Sequence, residues 1–80
     1  MFLHLGGNTI IPKKDIIAII NIKTSSTQAT REFLEIANDE GFIKTISKEG
    51  KEKSFIITNK EIYISPISCS TLKKRTGVSI

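Results

Sequence analysis

At 80 residues the chain holds one domain, spanning residues 1–80, and a domain this small buries a modest share of its unfolded surface, so self-association would help it. With 39% hydrophobic and 25% charged residues, two prolines and five glycines, it reads as globular rather than disordered. The net charge of +4 favours acidic partners, nucleic acid or anionic lipid, while the single cysteine, Cys69, excludes an intrachain disulfide and a cysteine-based zinc site and fits a reducing cytoplasm.

No apolar run is long enough to span a bilayer, and MFLHLGG lacks the basic region and long apolar stretch of a secretory signal. The mature chain is therefore expected to begin where the sequence begins, inside the cell. Phe2 to Leu5 meets Gly6, Gly7 and Asn8, all tolerant of positive φ, before Thr9 to Ile11, which predicts a β-hairpin. Pro12 is expected to interrupt pairing, and Lys13, Lys14 and Asp15 to carry the chain around. Ile16 to Ile22 is almost continuously apolar and rich in isoleucine, which predicts a central core strand buried on both faces.

Thr24 to Thr27 supply helix N-caps, and Ser25 with Gln28 has the spacing of a capping box. Ala29, Phe33, Ile36 and Ala37, widened by Leu34, recur at helical spacing and are expected to face the core; Gly41 suits the left-handed position past the helix end. Phe42 to Ser47 reads as a strand, Lys48 to Lys53 as a charged turn centred on Gly50, and Ser54 to Thr58 as the return strand. Asn59 and Lys60 connect tightly to Glu61 to Ser65, completing a meander that Pro66 closes. Ser68 or Ser70 can cap a short final helix through Arg75, with Gly77 as its stop.

The supply of catalytic groups is thin: one His, one Cys, and carboxylates that fall on a helix surface or in turns. His4 and Cys69 could pair as base and nucleophile, but neither is flanked by residues that build an oxyanion hole, so a packed histidine and a small buried thiol are the expected roles. Gly6 and Gly7 lead into a strand and are turn residues rather than a phosphate loop. No enzyme activity, cofactor, metal site or small-molecule substrate is expected. The cations form three sets: Lys13 and Lys14, Lys51 and Lys53, and Lys73, Lys74 and Arg75. A compact basic cluster is the electrostatic footprint of nucleic-acid binding. A solvated charged turn, a cation-rich helix end favoured by the macrodipole, or a subunit contact would leave the same pattern.

The opening HLGGNTIIPKKDIIAIINIK, Glu32 to Leu34, Lys53 and Ser54 before FIIT, and the tail SPISCSTLKKR together resemble the small bacterial RemA/RemB family of extracellular-matrix regulators, closest to its RemB branch. The resemblance covers nearly the whole chain. It implies a DNA-associated regulator of biofilm-matrix genes, a ring-like homo-oligomer, and a fold related to LytTR-type DNA-binding domains. In the RemA branch an Arg before the central strand and an Arg pair in the hairpin after the helix are tied to DNA binding. Here those places hold Lys14 beside Asp15, and Lys51, Glu52 and Lys53. Lysine keeps phosphate contacts but loses the bidentate and minor-groove geometry of arginine, and Glu52 weakens the local field.

The expected fold is α+β, in the order β-β-β-α-β-β-β-α, with an antiparallel sheet, one amphipathic helix packed on it and a short C-terminal helix. The expected function is a cytoplasmic, non-enzymatic transcription regulator that binds double-stranded DNA as a homo-oligomer. Its phosphate contacts would be Lys14, Lys51, Lys53, Lys73, Lys74 and Arg75. The alternative is an oligomeric protein-interaction module that does not touch DNA. An anionic-membrane contact is weaker, since the chain offers no long cationic amphipathic helix.

Overall fold

In the computed structural model, which describes residues 1–23 and 27–77, the chain opens with the expected hairpin: β1 (Phe2–Gly6) pairs antiparallel with β2 (Thr9–Pro12). Alternation sends Leu3, Leu5 and Ile11 to one side, where they are buried, and leaves Phe2, His4 and Ile10 exposed on the other. At the turn Gly6 has φ +114°, and a Cβ there would stand 3.2 Å from the Pro66 ring, so only glycine lets the hairpin close against that loop. Pro12 does not interrupt the pairing: it is the last residue of β2 and sits opposite Phe2, a strand-end position where a missing N–H is tolerated.

A 3-10 turn (Lys13–Asp15) leads into β3 (Ile16–Asn21), which pairs antiparallel with β5 (Ser54–Thr58). The four-stranded sheet runs β3-β5-β6-β4, with β6 at Ile62–Ser65 and β4 at Ile43–Thr45. Two expectations are corrected here. The isoleucine-rich segment is an edge strand, not the central one; Ile19 is buried and Ile17 is exposed. Its apolar run arises because both faces of the sheet are apolar, which does not require a partner on both edges. The segment from β4 to β5 is not a hairpin either, and there is no meander: β4 pairs parallel with β6, so the chain crosses over before laying β5 between β3 and β6. The sheet is therefore mixed rather than wholly antiparallel. The tight β5–β6 connection is as expected, held by Thr58 Oγ1, which donates to the Glu61 carbonyl at 2.7 Å.

One sheet face carries Ile19, Ile56 and Tyr63 and packs against the inward residues of the hairpin and of α2 (Cys69–Thr76), giving a core of Leu3, Leu5, Ile11, Ile19, Ile56, Cys69 and Leu72. Ser54 and Ser65, a fully buried cross-strand pair, fasten this layer: Ser54 Oγ donates to the Ile67 carbonyl at 2.7 Å, and Ser65 Oγ donates to the Leu5 carbonyl while accepting from the Ile67 N–H.

The opposite face carries Phe55, Ile57, Ile62 and Ile64, and α1 (Gln28–Asp39) lies over it. Thr27 caps this helix, its Oγ1 accepting from the Thr30 N–H at 3.2 Å; the expected Ser25 capping box lies outside the described residues. Gly41 occupies the left-handed position past the end, as expected. The packing of α1 departs from expectation. Of its apolar stripe only Ala37 is buried, while Phe33 is 50% and Ile36 62% exposed, and Phe42 just beyond is 51% exposed. Clefts of about 710 Å³ and 430 Å³ open between α1 and the sheet. The helical period marks an apolar face correctly, but the monomer supplies little to cover it.

Candidate nucleic-acid interface

The final helix sets the geometry of three of the candidate basic residues, Lys73, Lys74 and Arg75. Ser68 caps α2, its Oγ accepting from the Thr71 N–H at 3.3 Å, and Gly77 ends it with φ +72°. Cys69, Leu72 and Thr76 recur on one buried face. That arrangement leaves Lys73 half-buried and Lys74 and Arg75 exposed in the last turn, where the negative end of the helix dipole favours cations. Arg75 Nη1 donates to the His4 carbonyl at 3.5 Å, tying this basic end to β1.

Lys51 and Lys53 lie on the crossover rather than on a hairpin. The Lys51 N–H donates to the Lys48 carbonyl at 3.0 Å around Gly50. Lys53 is held at the sheet end: its N–H donates to the Ser65 carbonyl at 2.9 Å, and its carbonyl accepts from the Ile22 N–H at 3.1 Å. Its side chain is free to face solvent, and with Asn21, Lys23, Glu52 and Ser68 it lines a cleft at the start of α2. Lys23 stands alone in the sequence and joins this group only because Asn21 and Ser54 are opposite one another in the sheet. No local pattern could have marked it.

Lys14 is elsewhere. Ile16 pairs with Thr58 and Asn21 with Ser54, so Lys14 and Lys53 flank opposite ends of β3, about 17 Å apart along a strand of this length. The cleft group lies against Ser68, the N-cap of α2, and Lys73 to Arg75 follow it by five to seven residues, about 8 to 11 Å of helix. Among the described residues, Lys44 and Glu61 form an ion pair at 3.2 Å, and none of Lys23, Lys51, Lys53, Lys73, Lys74 or Arg75 pairs with a described carboxylate.

Charge is divided between regions. Helix α1 and its C-cap carry Glu32, Glu35, Asp39 and Glu40 against Arg31, a net −3, while the rest of the chain has eleven cations and four acids. Half of the acids therefore lie over one sheet face. Near the β5–β6 turn Tyr63 donates to Glu61 Oε1 at 3.1 Å, and its phenol is pushed above its ordinary value by burial first, then by that bond and by the charges of Glu61 and Asp15.

His4 and Cys69 serve separate local contacts. His4 Nε2 bonds the Gly7 carbonyl at 2.8 Å on the exposed hairpin face, and the buried Cys69 thiol donates to the Ile19 carbonyl at 3.6 Å. Among the described residues no three His, Cys, Asp or Glu side chains are grouped to hold a metal ion, and no helix is long and apolar enough to cross a membrane.

Residues 2–76 match the family model described as RemA-like, extracellular matrix regulatory protein A-like. The chain is also 36% identical over 75 residues to extracellular matrix regulatory protein B of Bacillus subtilis (strain 168), a match that spans 94% of this chain and 89% of that protein.

Proposed function

Because the chain belongs to the RemA-like family of extracellular matrix regulatory proteins, we propose that it regulates matrix genes as a non-enzymatic, cytoplasmic DNA-binding protein acting as a homo-oligomer. The observation that carries this reading is a set of cations around α2 that pair with no described carboxylate: Lys23 and Lys53 in the cleft at its start, Lys73, Lys74 and Arg75 in its last turn, and Lys51 on the adjoining crossover. Both groups can engage backbone phosphates of one duplex. Lysines act there as point charges and contribute affinity through counterion release. Sequence preference then comes chiefly from DNA shape and bending.

The ring-like assembly and the kinship to LytTR-type DNA-binding domains belong to the same proposal. A ring would repeat the basic groups along a circumference that duplex DNA could follow.

Mobility shift across a salt series tests the reading. Wild-type protein should bind duplex DNA, with log K falling against log salt by about 0.9 per phosphate neutralised. The K51E/K53E variant should lose binding while keeping its assembly state; unchanged affinity at low salt would remove the crossover from the interface. A second reading, a protein-interaction module with no DNA contact, is favoured by the exposed Phe33, Ile36 and Phe42. It predicts an oligomer indifferent to DNA at every salt concentration.

A further inference from the structure

The acids of the chain divide by position. Glu32, Glu35, Asp39 and Glu40 belong to α1 and its C-cap, and Asp15 and Glu61 border the cleft beside Tyr63 near the β5–β6 turn. The remaining pair, Glu49 and Glu52, stands on the crossover among Lys48, Lys51 and Lys53. Glu49 sits with Gly50 at the tip of the turn that the Lys51 N–H closes on the Lys48 carbonyl. Glu52 instead lines the cleft of about 260 Å³ at the start of α2, and among the described residues it is the one acid that does so.

The backbone on both sides of this cleft holds the charges in place. Lys53, the residue after Glu52, is bonded through its N–H to the Ser65 carbonyl and through its carbonyl to the Ile22 N–H, and the Lys23 N–H donates to Asn21 Oδ1 at 2.8 Å. Lys23, Lys53 and Glu52 thus share one small cleft, yet Glu52 forms an ion pair with neither lysine. Its charge stays unneutralised. A phosphate seated there meets two cations and one anion within a Debye length, about 8 Å at physiological salt, so the carboxylate opposes it directly.

We propose that Glu52 limits the affinity of each copy for duplex phosphates, so that stable binding requires several copies on one duplex at once. This rests on the reading of the chain as a DNA-binding homo-oligomer and names what regulates that site. When each contact is weak, simultaneous contacts decide the outcome, because linked binding events multiply. An unassembled chain then releases DNA readily, and a long duplex is held in preference to a short one.

Mobility shift of the full chain on random-sequence duplexes, from one helical turn of about 10 base pairs upward, tests the proposal. Glu52→Gln keeps the shape of an exposed side chain and removes its charge, so circular dichroism and size-exclusion light scattering should show an unchanged fold and assembly. Losing one such repulsion should tighten binding by about three- to tenfold per contacting copy. That gain should multiply as the duplex lengthens and shrink as salt rises, and the variant should hold shorter duplexes than the wild type. Glu49→Gln removes the same charge from the same crossover outside the cleft and should leave affinity near the wild-type value. If E52Q binds no more tightly than E49Q, or its gain is undiminished by salt, Glu52 does not act through its charge in the cleft; the proposal falls and the DNA-binding reading stands. A gain equal at every duplex length would overturn the need for several copies. Failure of wild type and E52Q alike to shift any duplex at low salt would overturn the DNA-binding reading itself.

Discussion

On one face of the four-stranded sheet Ile19 and Ile56 are sealed beneath the hairpin and α2, whereas on the other Phe55, Ile57 and Ile64 lie under a helix that buries only Ala37 of its own stripe. The two faces are built from the same kind of residue, so hydrophobicity alone does not account for the difference. Attachment does. The sealed side is tied down by Ser54 and Ser65, whose hydroxyls bond the carbonyls of Ile67 and Leu5, while open clefts run between α1 and the sheet around the buried Ala37 and Ile62. A domain of this size has little core to spare, and the side left open is the side on which burial remains to be gained.

Substitutions can separate the two faces by size of effect. Ile56→Ala on the sealed face removes a fully buried side chain beside Ile19 and Leu72 and should cost about 2 to 5 kcal/mol in urea denaturation, enough to unfold much of the population. Ser65→Ala is expected to cost less, about 1 to 3 kcal/mol, because it strands the buried Leu5 carbonyl and the Ile67 N–H without replacing either partner. Ile36→Ala on the open face should change the stability of a dilute, monomeric sample by no more than about 0.5 kcal/mol, despite deleting as much hydrocarbon as Ile56→Ala. A loss at Ile36 comparable to that at Ile56 would mean that α1 is packed as tightly as α2, and the contrast between the faces would fail.

Much of the local structure was legible in the sequence because it depends on neighbours in the chain. Gly6 and Gly7 mark the hairpin turn, Ser68 and Gly77 bracket α2, and the Thr58–Glu61 connection follows from its short polar link. Strand order was not legible. Ile16 to Asn21 looks central because both its faces are apolar, yet position within a sheet is decided by which edges find partners, and that depends on β5 far along the chain. The parallel pairing of β4 with β6 was hidden for the same reason: a charged turn around Gly50 looks identical whether it folds back as a hairpin or crosses over. The candidate site divides in the same way. Lys73, Lys74 and Arg75 were visible as a run, but the grouping of Lys23 with Lys53 needs the Asn21–Ser54 pairing, and nothing local told that Lys14 lies at the other end of the strand. The stripe of α1 showed which side of the helix is apolar and gave no hint of how little the monomer covers it.

The crossover that lays β5 between β3 and β6 also constrains the order in which the domain assembles. Within the four-stranded sheet, β5 and β6 are the one neighbouring pair joined by a tight connection, so their hairpin is the natural seed, formed at small loop-closure cost. Both edges must then be recruited from earlier in the chain, β3 across the whole of α1 and β4 across the charged loop. Pairings of such long reach slow folding relative to a helical domain of equal length. Until they form, the exposed flanks of the seed hairpin are open to strands of other molecules, so the topology that completes the sheet also sets the interval in which a nascent chain is most exposed to mispairing.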